Sequence, residues 1–484
     1  MAIAAQMDSP LFLTIDQGGH GSRVHVYDES GILIAHSHQA ITPVKPRPCF
    51  VEYDPEQLIS SVRRAIHDIV EQLDDQIINI KTAGLATQRS NVACWNRQTG
   101  QYLSPIISWQ DTRHSAWIAQ FKNREDRIHD ITGLFPSAHY GASKIRWCLD
   151  NLPALTKCID NEQAAIGPMS TLLCFELLRE KPHLADPVNA SRTLLWDYHQ
   201  LNWSSELSKL FDIPLACLPG CVPSRHPFGK LNIGGADIPL DIVTGDQSAA
   251  LFAFGKPQVD TAYITLGTGA FIQLIYKSDN TAISQHLLTS VVHQDASDIL
   301  ISNEATINGT GSALDWLSGE SGKDMTSDDL ERILNDTQTS LIFLNGISGL
   351  GSPWFIPDFQ SRFIGDGNVA EKYVAVIESI VFLIQLNLET MIQETGVIRR
   401  IIIGGGLSIL DSICQRLADI SGIDVHRSPQ YETTSRGLFN LITKNYADQT
   451  DKLDRPFSPK ENDLLIKRYM KWKEMMLNET GSLD

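Results

Sequence analysis

The chain has 484 residues, 42% of them hydrophobic and 20% charged, more than one hydrophobic core commonly supports, so two large domains are expected. A formal net charge of -17 excludes a non-specific nucleic-acid binder, which needs a basic face, but leaves room for a local anion site.

Along the chain, "MAIAAQMDSP" has no basic start and no long apolar stretch, so no signal peptide is expected. "PLFLTID" is an apolar run ending in Asp16, and "RVHVYD" and "ILIAHSH" follow the "GGHG" turn, a pattern that predicts an antiparallel meander of three strands. Gly18, Gly19 and Gly21 within four positions exceed what a hairpin needs. They read either as an ordinary glycine turn or as a cradle in which backbone N–H groups approach a phosphate.

"DPEQLISSVRRAIHDIVEQL" predicts an amphipathic helix with Asp54 as N-cap, Pro55 at the first position and Gln57 completing a capping box. Leu58, Val62, Ile66, Ile69 and Leu73 fall on one face. "TAGLAT", "NVACWN" and "PIISW" read as further strands. Arg89, in "ATQRSNVACW", stands at the end of a buried strand, placed to clamp an acceptor hydroxyl or to pair with an internal carboxylate. "SWQDTR" offers Trp109 as a flat wall for an aliphatic face, or as plain core, with Asp111 and Arg113 beside it. In "IVTGDQSAAL", Asp246 follows a glycine and opens a helix, so it reads as a general base with Gln247 at a hydroxyl, or as a simple N-cap.

The second half repeats the opening device: "TAYITL", the turn "GTG", "AFIQLIYK", then a turn at "SDN". Four glycine turns stand at strand ends, at Gly18–Gly21, Gly267–Gly269, Gly309–Gly311 and Gly404–Gly406. Two such hairpins, if opposed, can hold a nucleotide's phosphates, and the other two turns could then let a purine lie against backbone. "AVIESIVFLIQLNLETMI" is apolar nearly all round and reads as a buried helix, and no apolar run is read as reaching the roughly 18 residues that span a bilayer. "SPKENDLLIKRYMKWKEMM" closes the chain as a helix capped by Ser458, Pro459 and Glu461.

Eight cysteines lack metal-type spacing, Cys217 and Cys221 being the closest, so free thiols and a cytoplasmic location are expected. Phosphoryl transfer needs a metal, donors for the phosphates and a base; Asp16 suits Mg²⁺ held through water. No Gly-x-x-x-x-Gly-Lys-Ser/Thr, Gly-x-Ser-x-Gly or His-Glu-x-x-His occurs, which disfavours Walker-type NTPases and the common hydrolases.

In chain order, "DQGGHGSR", "ATQRSNVACWNRQTG", "SWQDTR", "TGLFPSAHYGASKIRWCLDN", "NASRTLLWD", "VTGDQSAALF", "TLGTGAF", "SGLGSPW", "IIIGGG" and "ETTSRG" resemble the FGGY family of carbohydrate kinases, nearest its glycerol kinase branch, over residues 10 to 440. The resemblance implies an α/β fold of two actin-like (ribonuclease H-like, ASKHA superfamily) domains with an active-site cleft between them. The domains are drawn at 10–250 and 251–450, with a terminal loop and helix at 451–484. It also implies ATP with Mg²⁺, a small-molecule sugar or polyol as acceptor and no nucleic-acid or membrane partner, a homodimer being left open. By the same resemblance Asp16 matches the metal-side aspartate and Asp246 the catalytic base. Arg89, Trp109 and Gln247 match polyol-binding residues. Gly19, His20, Gly21 and Arg23 lie where the first hairpin touches phosphates, and Thr268, Gly311, Gly405 and Gly406 where the nucleotide is held.

The departures bear on substrate. Ser90 stands where glycerol kinases carry a Glu that accepts from two substrate hydroxyls, and His139, followed by Tyr140, stands at that branch's polyol-binding Tyr. Gly19, His20 and Gly21 replace two threonines and a serine, and Asp315 and Leu410 replace amides that hold the nucleotide. The expected activity is ATP-dependent phosphorylation of a small sugar, ketose or polyol other than glycerol. Glycerol kinase proper and a catalytically weak nucleotide- or sugar-binding sensor are the alternatives. An actin- or Hsp70-like ATPase would need a peptide-binding extension, and past residue 440 the sequence offers a loop and one helix.

Overall fold

The structure is a computed structural model that describes residues 9–276, 284–296, 298–428, 432–448, 453 and 456–481. The N-terminal stretch up to Asp8 and the "SDN" turn at 278–280 lie outside the described residues. The chain divides into two units: residues up to Lys256 with Ser290–Ile301 and Glu432–Asp448, and Pro257–Thr289 with Ser302–Tyr431 and Gln449–Asp484.

In the first unit the predicted meander forms as β1 (Leu11–Gly18), β2 (Gly21–Asp28) and β3 (Leu33–Ala40). The six-stranded sheet runs Arg225–Ile233, Ala236–Gly245, Ile80–Thr87, β1, β2, β3. Strands β1, Ile80–Thr87 and Ala236–Gly245 are parallel, and their register sets Gln17 opposite Thr87 and Thr87 opposite Gly245. The residues that follow these strands therefore emerge at one carboxyl edge, the edge where open α/β sheets bind ligands. Helix α1 (Pro55–Leu73) buries the predicted face, Leu58, Val62, Ile66, Ile69 and Leu73, and packs on β2 and β3. Its cap is one-sided: the Asp54 carboxylate accepts from the N–H groups of Glu56 and Gln57, without the reciprocal Gln57 bond the capping box predicted.

The second six-stranded sheet runs Leu288–Gln294, Ile299–Ile307, Ala270–Tyr276, Thr261–Leu266, Arg400–Gly404, Val425–Arg427. Thr261–Leu266 is antiparallel to Ala270–Tyr276 and parallel to Arg400–Gly404, which is parallel to Val425–Arg427. That is the topology of β2, β1, Ile80–Thr87 and Ala236–Gly245, so the faint repeat of glycine hairpins reflects two sheets wound alike.

Two local expectations need correcting. The final helix, Asp463–Thr480, is capped by Asn462, whose side chain accepts from Leu465 N–H, and not by Ser458, Pro459 and Glu461. The helix Val369–Thr395 contains a stretch long and apolar enough to cross a membrane by length and composition. Of its most apolar 18-residue window 89% is buried, in the core of the second unit, where apolarity on every side is what burial on every side requires. All eight cysteines are free, six of them buried, Cys221 half-buried and Cys49 exposed.

Candidate active site

Asp16 lies near the carboxyl end of β1, inside its buried part, and is only 5% exposed. Arg23, across the hairpin, brings its guanidinium to 3.5 Å from Asp16 Oδ2 and to 3.7 Å from Glu432 Oε1. Burial, reinforced by the nearby charge of Asp246, pushes the Asp16 carboxyl up to about 7, against the pull of Arg23. The ion pair is long, and desolvation outweighs it. Asp16 Oδ1 has no partner among the described residues.

Asp246 opens the short helix Asp246–Ala250. Its Oδ1 accepts from the Gln247 N–H at 2.7 Å, and its carbonyl accepts from the Thr434 hydroxyl at 3.4 Å. Desolvation raises its carboxyl above the ordinary range, with Arg89 pulling the other way. Arg89 donates to the Gln247 side-chain oxygen. The stem of Arg89 lies over Gly245, where an added Cβ would sit 2.7 Å from its Cγ and Cδ. The residues read as base, acceptor clamp and hydroxyl binder thus meet around Gly245 and Asp246, with Asp16 beside them in the same unit.

Ser90 is buried with φ 65°, and its hydroxyl has no partner among the described residues. One residue on, the Asn91 side chain accepts from the Trp109 N–H at 2.7 Å. This ties the Arg89–Ser90 loop to the Trp109 wall. The Trp109 ring stands 5.3 Å from that of His139, which stands 5.1 Å from that of Tyr140. Asp111 and Arg113, by contrast, are structural. Arg113 bonds Asp111 and Glu52 at 2.7 Å each and lies over the Phe50 and Trp147 rings, while Asp111 accepts from Val51 N–H.

The first hairpin closes on a two-residue turn, Gly19-His20, between the paired Gly18 and Gly21. Its carbonyls are taken: Gly18 O by the Gln17 amide, Gly19 O by the Tyr53 hydroxyl, His20 O by Ile41 N–H. The N–H groups of Gly19 and His20 donate to no protein acceptor among the described residues. A turn with engaged acceptors and free donors suits an anion.

In the second unit, Gly311 serves close packing. A Cβ there would come within 2.9 Å of Gly267 O, and Thr310, Gly311 and Ser312 give their N–H groups to the Gly267 and Thr268 carbonyls. Thr268 itself is exposed, and its hydroxyl and N–H make no bond among the described residues. Gly405 has φ +92°, and a Cβ would lie 2.2 Å from Leu266 O, whereas above Gly406 the space is open. Asp315 is exposed on the helix Gly311–Ser321, and Leu410 is buried in front of Asp411–Ser421.

Sequence reasoning gave no role to Glu432, Thr434, Ser435 or Gly437, all in or beside "ETTSRG", although that stretch belonged to the resemblance. A glycine inside a helical pattern was the available signal of a close approach. The carboxylate chemistry also fits Mg²⁺. A single buried aspartate with one free oxygen suits an ion that keeps most of its water and takes other ligands from phosphate. Among the described residues no group of three or more His, Cys, Asp or Glu could cage a metal.

Comparison with known proteins agrees with this architecture. The N-terminal domain model of the FGGY family of carbohydrate kinases matches residues 11–253 and its C-terminal domain model residues 262–442. The chain is 30% identical to a glycerol kinase of Shewanella amazonensis over 98% of this chain and all of that one. It is 31% identical to glycerol kinase 2 of Sulfolobus acidocaldarius over 97% of each. Its structure matches that of Plasmodium falciparum glycerol kinase with ADP at a TM-score of 0.88 and 25% identity, covering 98% and 99% of the two chains. The xylulose kinase of Lactobacillus acidophilus shares the fold, at a TM-score of 0.83 and 19% identity over 98% and 99%. The protein is a kinase, a phosphotransferase whose acceptor is an alcohol group. It belongs to the FGGY family of carbohydrate kinases.

Proposed function

We propose that the enzyme moves the γ-phosphoryl group of ATP to a hydroxyl of a small sugar, ketose or polyol longer than glycerol, with Asp246 as general base. The observation that carries this is the meeting of Asp246, raised above the ordinary carboxylate range, with the bonded pair Arg89 and Gln247. A base of raised pKa accepts a hydroxyl proton more readily than an ordinary carboxylate, and Arg89 and Gln247 orient the hydroxyl toward it. The free N–H groups of Gly19 and His20, with Arg23, hold phosphate oxygens. The Thr268 turn and the open face above Gly406 hold the nucleotide.

ATP with Mg²⁺ is the donor. Asp16 would hold the ion through water, and when bound it supplies charge neutralisation on the phosphates. Ser90 shapes the acceptor. Its hydroxyl is shorter than the Glu carried by glycerol kinases and uncharged, so two contacts to a triol are lost and room is gained for a longer chain. Full-length identity of about 30% to glycerol kinases favours glycerol itself as the second reading.

The test is ADP release with Mg-ATP across glycerol, tetritols, pentitols, ketopentoses, ketoheptoses and gluconate. Turnover on a longer acceptor in preference to glycerol supports the proposal, and preference for glycerol replaces it with the second reading. ATP binding with no turnover on any member would favour a sensor.

A further inference from the structure

Lys144 is a charged side chain buried at 1% exposure, and the chemistry above makes no use of it. It lies in the first turn of the helix Gly141–Asn151, where the macrodipole disfavours a cation. No carboxylate among the described residues bonds it. Its Nζ donates instead to three successive carbonyls, those of Ala138 at 2.6 Å, His139 at 2.7 Å and Tyr140 at 3.2 Å. Burying an ammonium costs far more than burying a Met or Leu of similar volume, so packing does not account for it. The need it meets is local. The chain bends into the helix so that three carbonyls converge, and converging buried acceptors require a donor. Ser143 adds its hydroxyl to two of them. The bend carries His139, whose ring meets Trp109.

We propose that Lys144 is the positioning residue of the acceptor wall: its ammonium pins the Ala138–Tyr140 bend and thereby holds the His139 ring against Trp109. The catalytic consequence rests on reading His139 and Trp109 as that wall; the pinning does not. Burial pushes Lys144 down to about 7, with Asp111 opposing and Arg113 adding to the shift. The pin therefore weakens as pH rises through neutrality. This is opposite in direction to the carboxylates Asp16 and Asp246, whose raised pKa values impair the site as pH falls.

Hydrogen exchange of the full-length protein, read at the His139 and Tyr140 amides and corrected for intrinsic rate, tests the pin without knowledge of the acceptor. Those amides donate to Ser137 and are protected only while the bend is held. Protection should fall about tenfold in Lys144→Met, and in the wild type as pH is raised from about 6 to about 10, while Lys144→Arg keeps it across that range. Unchanged protection in a folded Lys144→Met protein overturns the proposal. Should that variant fail to fold, Lys144→Gln read the same way decides it, unchanged protection overturning the proposal. Steady-state kinetics on the acceptor turned over in the panel separates the two readings. With the bend loosened, KM for the acceptor should rise about tenfold and KM for ATP stay within about twofold. Loss of protection with an unmoved acceptor KM leaves the pin standing and removes His139 from the acceptor site.

Discussion

The hydroxyls of Thr14 and Ser435, 421 positions apart in the chain, share a hydrogen bond of 2.6 Å. The Tyr27 hydroxyl donates to the same Ser435 oxygen at 3.2 Å. The helix Thr433–Thr443 is thereby fixed against β1 and β2, and Glu432, just before it, stands at Arg23 and, at 3.8 Å, His25. The arginine proposed to hold phosphate thus also meets a carboxylate that arrives late in the chain.

That seat has no slack at Gly437. A Cβ there would lie 1.8 Å from the Ala249 carbonyl oxygen and 3.2 Å from Ala253 N. Both are backbone atoms of the segment that begins at Asp246. Gly437→Ala should cost about 3 kcal/mol or more, because backbone must move to admit it. Urea denaturation measures this, and an unchanged midpoint would show that the helix has room.

Asp246→Asn keeps the shape of the side chain and removes its basicity. Turnover should fall roughly a thousandfold while ATP affinity changes by less than about threefold. Single-turnover kinetics beside nucleotide titration reads both, and near-normal turnover would take the role of base away from Asp246.

Gly245→Ala tests whether the clamp depends on its floor. The new methyl would meet Arg89 Cγ and Cδ at 2.7 Å and Val188 at 3.1 Å, moving Arg89 off Gln247. The acceptor kcat/KM should drop by about tenfold or more with little change in KM for ATP, since ~1.4 kcal/mol of lost orientation is a factor of ten. Equal loss toward both substrates would point to general unfolding, which a thermal melt detects.

Asp16 gives a pH-dependent prediction whose sign is fixed. Its folded pKa is about 7 against an ordinary 3.8, so the folded chain favours the protonated form. Stability from this group is fully present below about pH 4 and is lost as pH rises through about 7. Asp16→Asn, which carries no charge, should therefore be the more stable protein at pH 8 in the absence of Mg²⁺. The gain is at most about 4 kcal/mol, shrinking to nothing near pH 4. Thermal melts of both proteins in EDTA across that range decide it, and a gain that grew toward acid would reverse the assignment. Activity of the wild type should likewise fall as pH drops below about 7.

Much of the first unit is legible in local sequence, because its signals are local. Apolar alternation around a glycine turn sets the meander, and Asp54-Pro55 before a 3.6-residue stripe sets α1. At Asp246 the local sequence leaves a general base and a simple N-cap equally open. The same local reading misjudged the closing cap at Ser458, since an N-cap depends on where the backbone leaves the helix and not on which serine is nearby.

Residue type and short-range pattern mark the groups able to do chemistry: acids at two strand ends, an arginine at a third, and glycines where backbone must bend or touch. What each of them meets is set by packing. Parallel register delivered Asp16, Arg89 and Asp246 to one edge. Packing turned Asp111 and Arg113 into scaffold, brought Glu432 to Arg23 and shut a lysine in among carbonyls. The reason is physical: residue type and short-range pattern fix what a side chain can donate, accept or bury. Its partners and its local dielectric come from segments hundreds of positions away, and those set which form of Asp16 or Lys144 exists at neutral pH.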